Sequence, residues 1–556
     1  MSIDNLGNIG FQPNVNLTPG KFAPKPPVEA EPSIAQDSFT SSAAKSQQYV
    51  ILPPKQLAIE AQKGGIFRSE ENQLSKFDVT VQEKLPLIGG YVANIDDSTK
   101  KKLTEAGYYV FVDEEKSWLP SKPWEKNIVD ATVGTSETGE KTEDLSLKDR
   151  PVMTQPRFDT PLTRQYQGEG VTIAVIDTGI YPHPDLISPE NRIVAFVDFV
   201  NGKKIPYDDN GHGTHVAGDA AGSGMMSDGL YKAPAPKAKL IGLKALAGQG
   251  GGKTSDIIKA IEWCIKNKEK FNIRVINMSL GHTASEDYQN DPTDQAVKKA
   301  YEAGIVVVAA AGNEGPGPST VGAPGDSPHA ISVGAADDMN TPDPKDDKIA
   351  NFSSRGPTPG GLMKPDLVAP GVAIISTLSP GTGAETTSER MTNLKETMKW
   401  FSQMPDEALV RVPDESLRLL GLADSTIEKW KSDPKLARKE IKRLFNATLS
   451  LPLVDKTYTG MPGTSMASPF VAGVVAQMLS ANPNLKPYEV ADILKSTADK
   501  IDGYKPEDQG QGMVDPNEAI EKALLVKEGK LQITEPVLPW GPIKAGGDAK
   551  PEEKKA

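Results

Sequence analysis

The chain has 556 residues, with 62 Lys and Arg against 74 Asp and Glu for a net charge of −12, and 37% of it is apolar. That length suits about two to four domains, one of them large enough for an enzymatic core, and 50 Gly with 46 Pro point to a loop-rich globular enzyme rather than a coiled coil. The acidic balance argues against a nucleic-acid binder, which would carry a basic face. No apolar run of the sequence approaches the ~18 residues of a membrane span, so no membrane partner is expected.

The N-terminus, MSIDNLGNIGFQPNVNLTPGKF, has neither a basic start nor an apolar core, so no secretory signal is read there. Cys264 is alone, which forbids an intrachain disulfide, and within AIEWCIKN it reads as a buried structural thiol. The compartment stays open between cytoplasmic and non-classically exported. Residues 1–47, rich in Pro, Asn, Ser and Ala, read as a disordered leader. Over 48–119 the pattern predicts a strand at 49–52, a helix at 55–62, strands at 77–82 and 90–95, a helix at 98–106 and a strand at 108–112. That order is that of a small α+β ferredoxin-like domain. Residues 120–160 are polar and charged, an exposed linker in composition.

From Gly168 short apolar runs alternate with helical patterns. Strands are predicted at 171–176, 238–246, 274–280 and 305–311, with helices at 255–267 and 294–303 between them. Continuous apolar strands alternating with helices imply an α/β domain, a doubly wound, mostly parallel sheet flanked by helices, over 161–525. Residues 381–456 interrupt it as a helical insertion. There Met391, Leu394, Met398 and Phe401 follow a helical period, Ser425 with Glu428 resembles a capping box, and Leu436, Ile441, Leu444 and Phe445 form a further stripe. Residues 526–556 form a C-terminal extension with one weak strand at 530–534 and a Pro/Gly/Lys-rich tail.

Four segments carry chemistry. VTIAVIDTG ends an apolar strand in Asp177, DDNGHGTHVAG sets His212 at a helix start, VVVAAAGNEG runs a strand into Asn313, and MPGTSMASPFVAG places Ser465 at a turn before an apolar helix. A serine hydroxyl becomes a nucleophile when an imidazole accepts its proton. The imidazole needs a carboxylate on its other nitrogen, and the tetrahedral intermediate needs donors at its oxyanion, for which an Asn amide and a backbone N–H serve. All four residues sit at strand–loop or loop–helix junctions, where distant segments converge. Nucleophilic acyl transfer follows.

These segments resemble those of the subtilisin-like serine proteases, in the same Asp…His…Ser order, with HPDL, NMSLG, STVGAPG, NFSSRGP and KPDLVAPG in support. The resemblance covers roughly 168–380 and 457–525. It implies a serine endopeptidase acting on protein and peptide substrates. Ser465 would be the nucleophile, His212 the general base and then acid, Asp177 its orienting carboxylate, and Asn313 with the Ser465 N–H the oxyanion hole. Ser279, Leu280 and Gly281 would form one wall of the primary specificity pocket, Ala310, Ala311 and Gly312 the other, and Gly322 its base. These residues are small and uncharged, so apolar P1 side chains are expected. Residues 48–119 resemble the propeptides of this family, which implies a zymogen whose own N-terminal domain is an intramolecular inhibitor, with its maturation site in 120–160. No cofactor is required for the chemistry.

Calcium is weighed at two places. The segment after the active-site helix, DAAGSGMMSDGLYKAPAPKAK, departs from the calcium loop many family members carry, and the acidic loop 337–347 reads as solvated. Structural calcium is therefore allowed for but not expected. Two other readings compete: a non-catalytic binding or inhibitory protein on a protease fold, and a metallohydrolase using His212 and His215. The second lacks a third ligand at recognisable spacing, and no metal site is assigned.

Overall fold

The structure is a computed structural model describing residues 46–54, 73–119, 158–284, 288–339, 341, 343–386, 388–389, 400–401, 403–419, 424–439, 441 and 457–538. The first described element is strand β1 (Gln47–Leu52), followed by β2 (Val81–Leu85), β3 (Gly90–Ile95), a helix at Asp97–Glu105 and β4 (Tyr109–Val112). The strands pair in the antiparallel order β2-β3-β1-β4, the expected ferredoxin-like arrangement. Asp96 starts the helix by accepting the Thr99 N–H at 2.7 Å. The strand expected at 77–82 begins instead at Val81, because 75–77 is a short 3-10 turn closed by Asp78 at φ 57°. The helix expected at 55–62, the leader up to residue 45 and most of the linker lie outside the described residues.

Strand periodicity explains where this small sheet sits. Tyr49 and Ile51 face a local core with Leu103 and Tyr108, whereas Val50 and Leu52 point the other way, with Leu85, Ile88 and Val92. That second face is continuous with Ile257, Ile258 and Ile261 of the helix Thr254–Phe271. Each such fully buried aliphatic side chain contributes about 1.5–3 kcal/mol. The small sheet therefore has both faces covered, one by its own helix and one by the large domain.

After the short strand β5 (Lys116–Ser117), the main sheet is built from β6 (Thr172–Asp177), β7 (Ile193–Asp198), β8 (Lys239–Lys244), β10 (Ile273–Met278), β11 (Val306–Ala310), β12 (Ile331–Asp337), β13 (Lys348–Ile349) and β14 (Leu367–Pro370). Between β8 and β10 lies the two-residue β9 (Gly251–Gly252). The order is β13-β12-β11-β10-β6-β8-β7, with β14 beside β12, and every pair except β12–β13 is parallel. Ala174 and Ile176 face the helices Thr254–Phe271 and Pro292–Glu302, while Ile173 and Val175 face His212–Ala221 and Thr464–Ala481. Burial on both faces is why these strands read as unbroken apolar runs. The helix Thr464–Ala481 is by length and composition apolar enough to cross a membrane, contrary to the sequence reading, yet it is 94% buried inside the molecule.

The insertion has its own small core of Phe401, Leu409, Val412, Leu417, Ile427, Trp430, Ala437 and Ile441. One of its helices starts at Asp424 rather than Ser425, and Leu436 is exposed instead of packed. Met391, Leu394, Met398, Leu444 and Phe445 lie outside the described residues. The insertion leaves from β15 (Ile374–Thr377) and returns through β16 (Tyr458–Met461), which pair antiparallel. No strand forms at 530–534; the last described element is the helix Pro516–Lys527.

The helices that begin with His212 and Thr464 touch through Gly473, where an added Cβ would stand 2.7 Å from the Ala220 carbonyl oxygen. Gly473→Val is expected to cost about 1–3 kcal/mol by overpacking, read as a lower Tm in calorimetry.

Candidate active site

The end of one strand and the starts of two helices converge at the C-terminal edge of the parallel sheet, where open α/β folds place their sites. β6 ends in Asp177, which is fully buried. Its Oδ1 accepts the Thr178 N–H at 2.7 Å and the His212 Nδ1–H at 2.8 Å. His212 opens the helix His212–Ala221 and is 4% exposed. Gly211 before it sits at φ 101°, and its missing Cβ would stand 2.7 Å from the Ala384 Cβ, so only glycine fits. Burial pulls the His212 pKa down, but the Asp177 carboxylate, with smaller contributions from Asp208 and Asp219, outweighs it and leaves the imidazole above its ordinary 6.5.

Ser465 is the second residue of the helix Thr464–Ala481 and is 3% exposed. Among the described residues its hydroxyl donates to the Ser279 carbonyl at 3.2 Å rather than to His212. Its loop is tied to the His212 helix through His215, whose Nε2 lies 3.1 Å from the Ile374 and 3.0 Å from the Thr459 carbonyl oxygens. The Asn313 orientation is fixed by donors. The Thr464 N–H reaches one terminal atom of its amide at 3.0 Å and the Thr464 hydroxyl reaches the same atom at 2.9 Å. An N–H can only donate, so that atom is Oδ1. Nδ2 is left facing Gly463 at the helix start.

A cavity of about 670 Å³ opens beside Ser465. Leu280, Gly281, Ala310, Ala311, Gly312, Asn313, Gly322, Thr464 and Ser465 all line it. Ser279 does not: its hydroxyl turns into the helix packing, donating to the Ser465 carbonyl at 2.7 Å and meeting the Ser468 hydroxyl at 2.9 Å. Ser279 therefore meets the site through its backbone carbonyl and not as a pocket wall. Gly322 lines the cavity at a point where an added Cβ would stand 2.7 Å from the His282 carbonyl oxygen.

Lys116, Ser117 and Leu119 of the N-terminal domain line the same cavity. β5 pairs antiparallel with β9. The Trp118 carbonyl accepts the Gly281 N–H at 2.8 Å, and its indole donates to the Gly252 carbonyl at 2.8 Å. Asp113 of the same segment accepts the Ser255 N–H at 3.0 Å, at the start of a helix that has no side-chain cap of its own. Sequence reasoning singled out neither Trp118 nor Asp113. Their partners are more than a hundred residues away, and no local pattern marks them.

The histidine pair does not form a metal site. Both ring nitrogens of His215 are engaged, Nδ1 by Asp219 at 3.0 Å, and His212 Nδ1 is held by Asp177. Among the described residues no group of three or more His, Cys, Asp or Glu is placed to hold an ion. Asp185, from the short helix Pro184–Ile187, accepts the N–H groups of Gly224 and Met226 in the loop after the His212 helix and the Tyr458 hydroxyl. Donors crowd that carboxylate where a cation would need acceptors. Cys264 is buried and its thiol is pushed up by burial, as a structural thiol should be.

The subtilase family profile matches residues 168–403 and 440–514. Serine protease AprX of Bacillus subtilis (strain 168) is 42% identical over 358 residues, 64% of this chain and 66% of AprX, so the match spans just under two thirds of that relative. Subtilisin DY of Bacillus licheniformis is 31% identical over 348 residues, 62% of this chain and 89% of subtilisin DY. Fervidolysin from Fervidobacterium pennivorans, a keratinolytic enzyme related to subtilisin, superposes with a TM-score of 0.52 at 21% identity, over 87% of this chain and 62% of that one. That likeness is one of fold. The relatives lend no support to a cytoplasmic location.

An NMR titration of His212 is expected to give a midpoint above 6.5. In Asp177→Asn only burial remains to act strongly, so the midpoint moves down; an unchanged midpoint would show that the carboxylate does not set it.

Proposed function

Because the chain belongs to the subtilase family of subtilisin-like serine proteases, we propose that it is a serine endopeptidase made as a zymogen, cleaving peptide bonds of proteins through an acyl-enzyme. The observation that carries this reading is the buried Asp177–His212 hydrogen bond at 2.8 Å, with Asn313 amide and Ser465 presented at one helix start beside the cavity.

In the reaction the Ser465 hydroxyl leaves the Ser279 carbonyl and turns to His212, a small rotation of the kind free enzymes commonly need. His212 takes its proton as Oγ attacks the scissile carbonyl, and Asp177 holds the resulting imidazolium. The oxyanion is received by Asn313 Nδ2 and the Ser465 N–H. His212 then returns the proton to the leaving amine, and water releases the acyl group by the same steps in reverse. No metal or organic cofactor enters these steps. Removing one such oxyanion donor costs a subtilisin about 10²–10³ in kcat; Asn313→Ala is expected to do the same here with little change in KM.

Small, uncharged residues around the cavity favour apolar P1 side chains, and a peptide-library profile dominated by Arg or Asp would overturn that assignment. Residues 48–119 act as the intramolecular inhibitor: the 116–119 segment lies along the Gly250–Gly252 and Gly281 edges, which a substrate strand would use. Maturation would cut within 120–160. Wild type and Ser465→Ala, incubated identically, should differ in intact mass, with wild type shortening in that window and the variant staying full length. Equal shortening of both would assign the cut to another protease, and chelator-sensitive activity indifferent to serine reagents would restore the metallohydrolase.

A further inference from the structure

A second carboxylate stands behind the first. Asp208, four residues before His212, is 5% exposed and gathers five donors. Its Oδ1 accepts the Thr178 hydroxyl at 2.9 Å, the Asn210 N–H at 3.0 Å and the Gly211 N–H at 2.9 Å. Its Oδ2 accepts the Thr214 N–H at 2.8 Å and the Thr214 hydroxyl at 2.7 Å. Thr178 relays this grip: its hydroxyl also accepts the Gly213 N–H at 2.9 Å. On its other side the Thr178 carbonyl accepts the buried Lys244 ammonium at 2.6 Å. Thr178, directly after Asp177, and Gly211, before His212, are thus bound to a single carboxylate, and Gly213, after His212, is tied to it through the Thr178 hydroxyl. The Asp208 carbonyl in turn accepts the Ser379 hydroxyl at 2.9 Å, at the root of the insertion.

We propose that Asp208, acting through Thr178, is a positioning residue that fixes the Asp177–His212 geometry from outside the reacting pair. The proposal rests on the protease reading above. A buried carboxylate with all its lone pairs engaged holds its donors within a narrow range of positions. Releasing it frees the 208–214 loop to shift relative to β6, and displacements of about 1 Å in such sites cost up to about 100-fold in rate. The charges around His212 are arranged with it. Asp177 comes from β6, Asp208 from the preceding loop and Asp219 from the same helix; all three raise the imidazole. Lys244, on β8, is paired with Asp209 at 2.6 Å.

Asp208→Asn tests this. The amide can keep the bonds at Oδ1, but its NH2 meets the Thr214 N–H donor and orphans it. Measured per Ser465 labelled at saturation by a fluorophosphonate, kcat should fall about 10–100-fold with KM within about twofold, and the acid limb of kcat/KM should move to lower pH. Thr178→Val should act in the same direction, and Thr178→Ser should recover most of the loss. Wild-type kcat and acid limb per labelled site in Asp208→Asn, with only Tm lowered, would overturn the proposal. If Asp208→Asn does not fold, Thr178→Val decides by the same criteria. If wild type takes no label, the protease reading fails separately. The His212 NMR midpoint, which the charge-neutral Thr178→Val must then lower and Thr178→Ser restore, still decides the positioning role.

Discussion

The hydrogen bond between Asp177 and His212 is made where water is excluded, and the surrounding structure depends on that choice. A carboxylate and an imidazole at 0% and 4% exposure lose hydration that only precise pairing can offset. The fold supplies the precision by ending a fully buried strand at Asp177, starting a helix at His212, and leaving glycines where the two segments pass. Gly211 and Gly213 have no room for a Cβ against Ala384 and the Gly179 backbone. The imidazole is consequently poised by a balance of opposing effects, burial lowering its proton affinity and carboxylates restoring it.

Around this pair the molecule is assembled so that distant segments cannot drift independently. β16 is held by the antiparallel ladder with β15 and by His215, and it leads within four residues to Ser465. Asn313 is oriented by the same Thr464 that opens the Ser465 helix. The N-terminal domain joins the scheme through one face of its sheet, which shares a core with the helix Thr254–Phe271. Its last described residues then run along the cleft. The small sheet and the large domain are therefore parts of one packed unit, and removing the first would expose Val50, Leu52 and Val92 together with the helix face they cover.

Much of this was legible in the sequence because the signals were local and physically strict. Unbroken apolar runs gave a parallel sheet buried on both sides, and glycine-bounded junctions marked Asp177, His212, Asn313 and Ser465. Where the expectation missed, a longer-range cause was at work. Asp208 looks like any turn aspartate until its five donors from three stretches are assembled. Trp118 is an isolated aromatic in a polar stretch whose pocket belongs to another domain. Ser279 was placed on a pocket wall, but a side chain next to a buried helix start had better partners in Ser465 and Ser468. At 530–534 no strand forms and Ile533 packs against the main core instead, and Leu436 shows that a helical stripe need not all be buried when the subdomain is small.

The central claim is that a buried carboxylate–imidazole pair activates Ser465. Its most direct measurement is the rate at which a fluorophosphonate modifies the protein across pH, with the modified residue located by peptide mapping, for wild type and Asp177→Asn. The account predicts modification at Ser465 alone, at a rate that rises with pH through a midpoint above 6.5 and collapses in the variant. Modification elsewhere, none at all, or equal rates in the two proteins would contradict it.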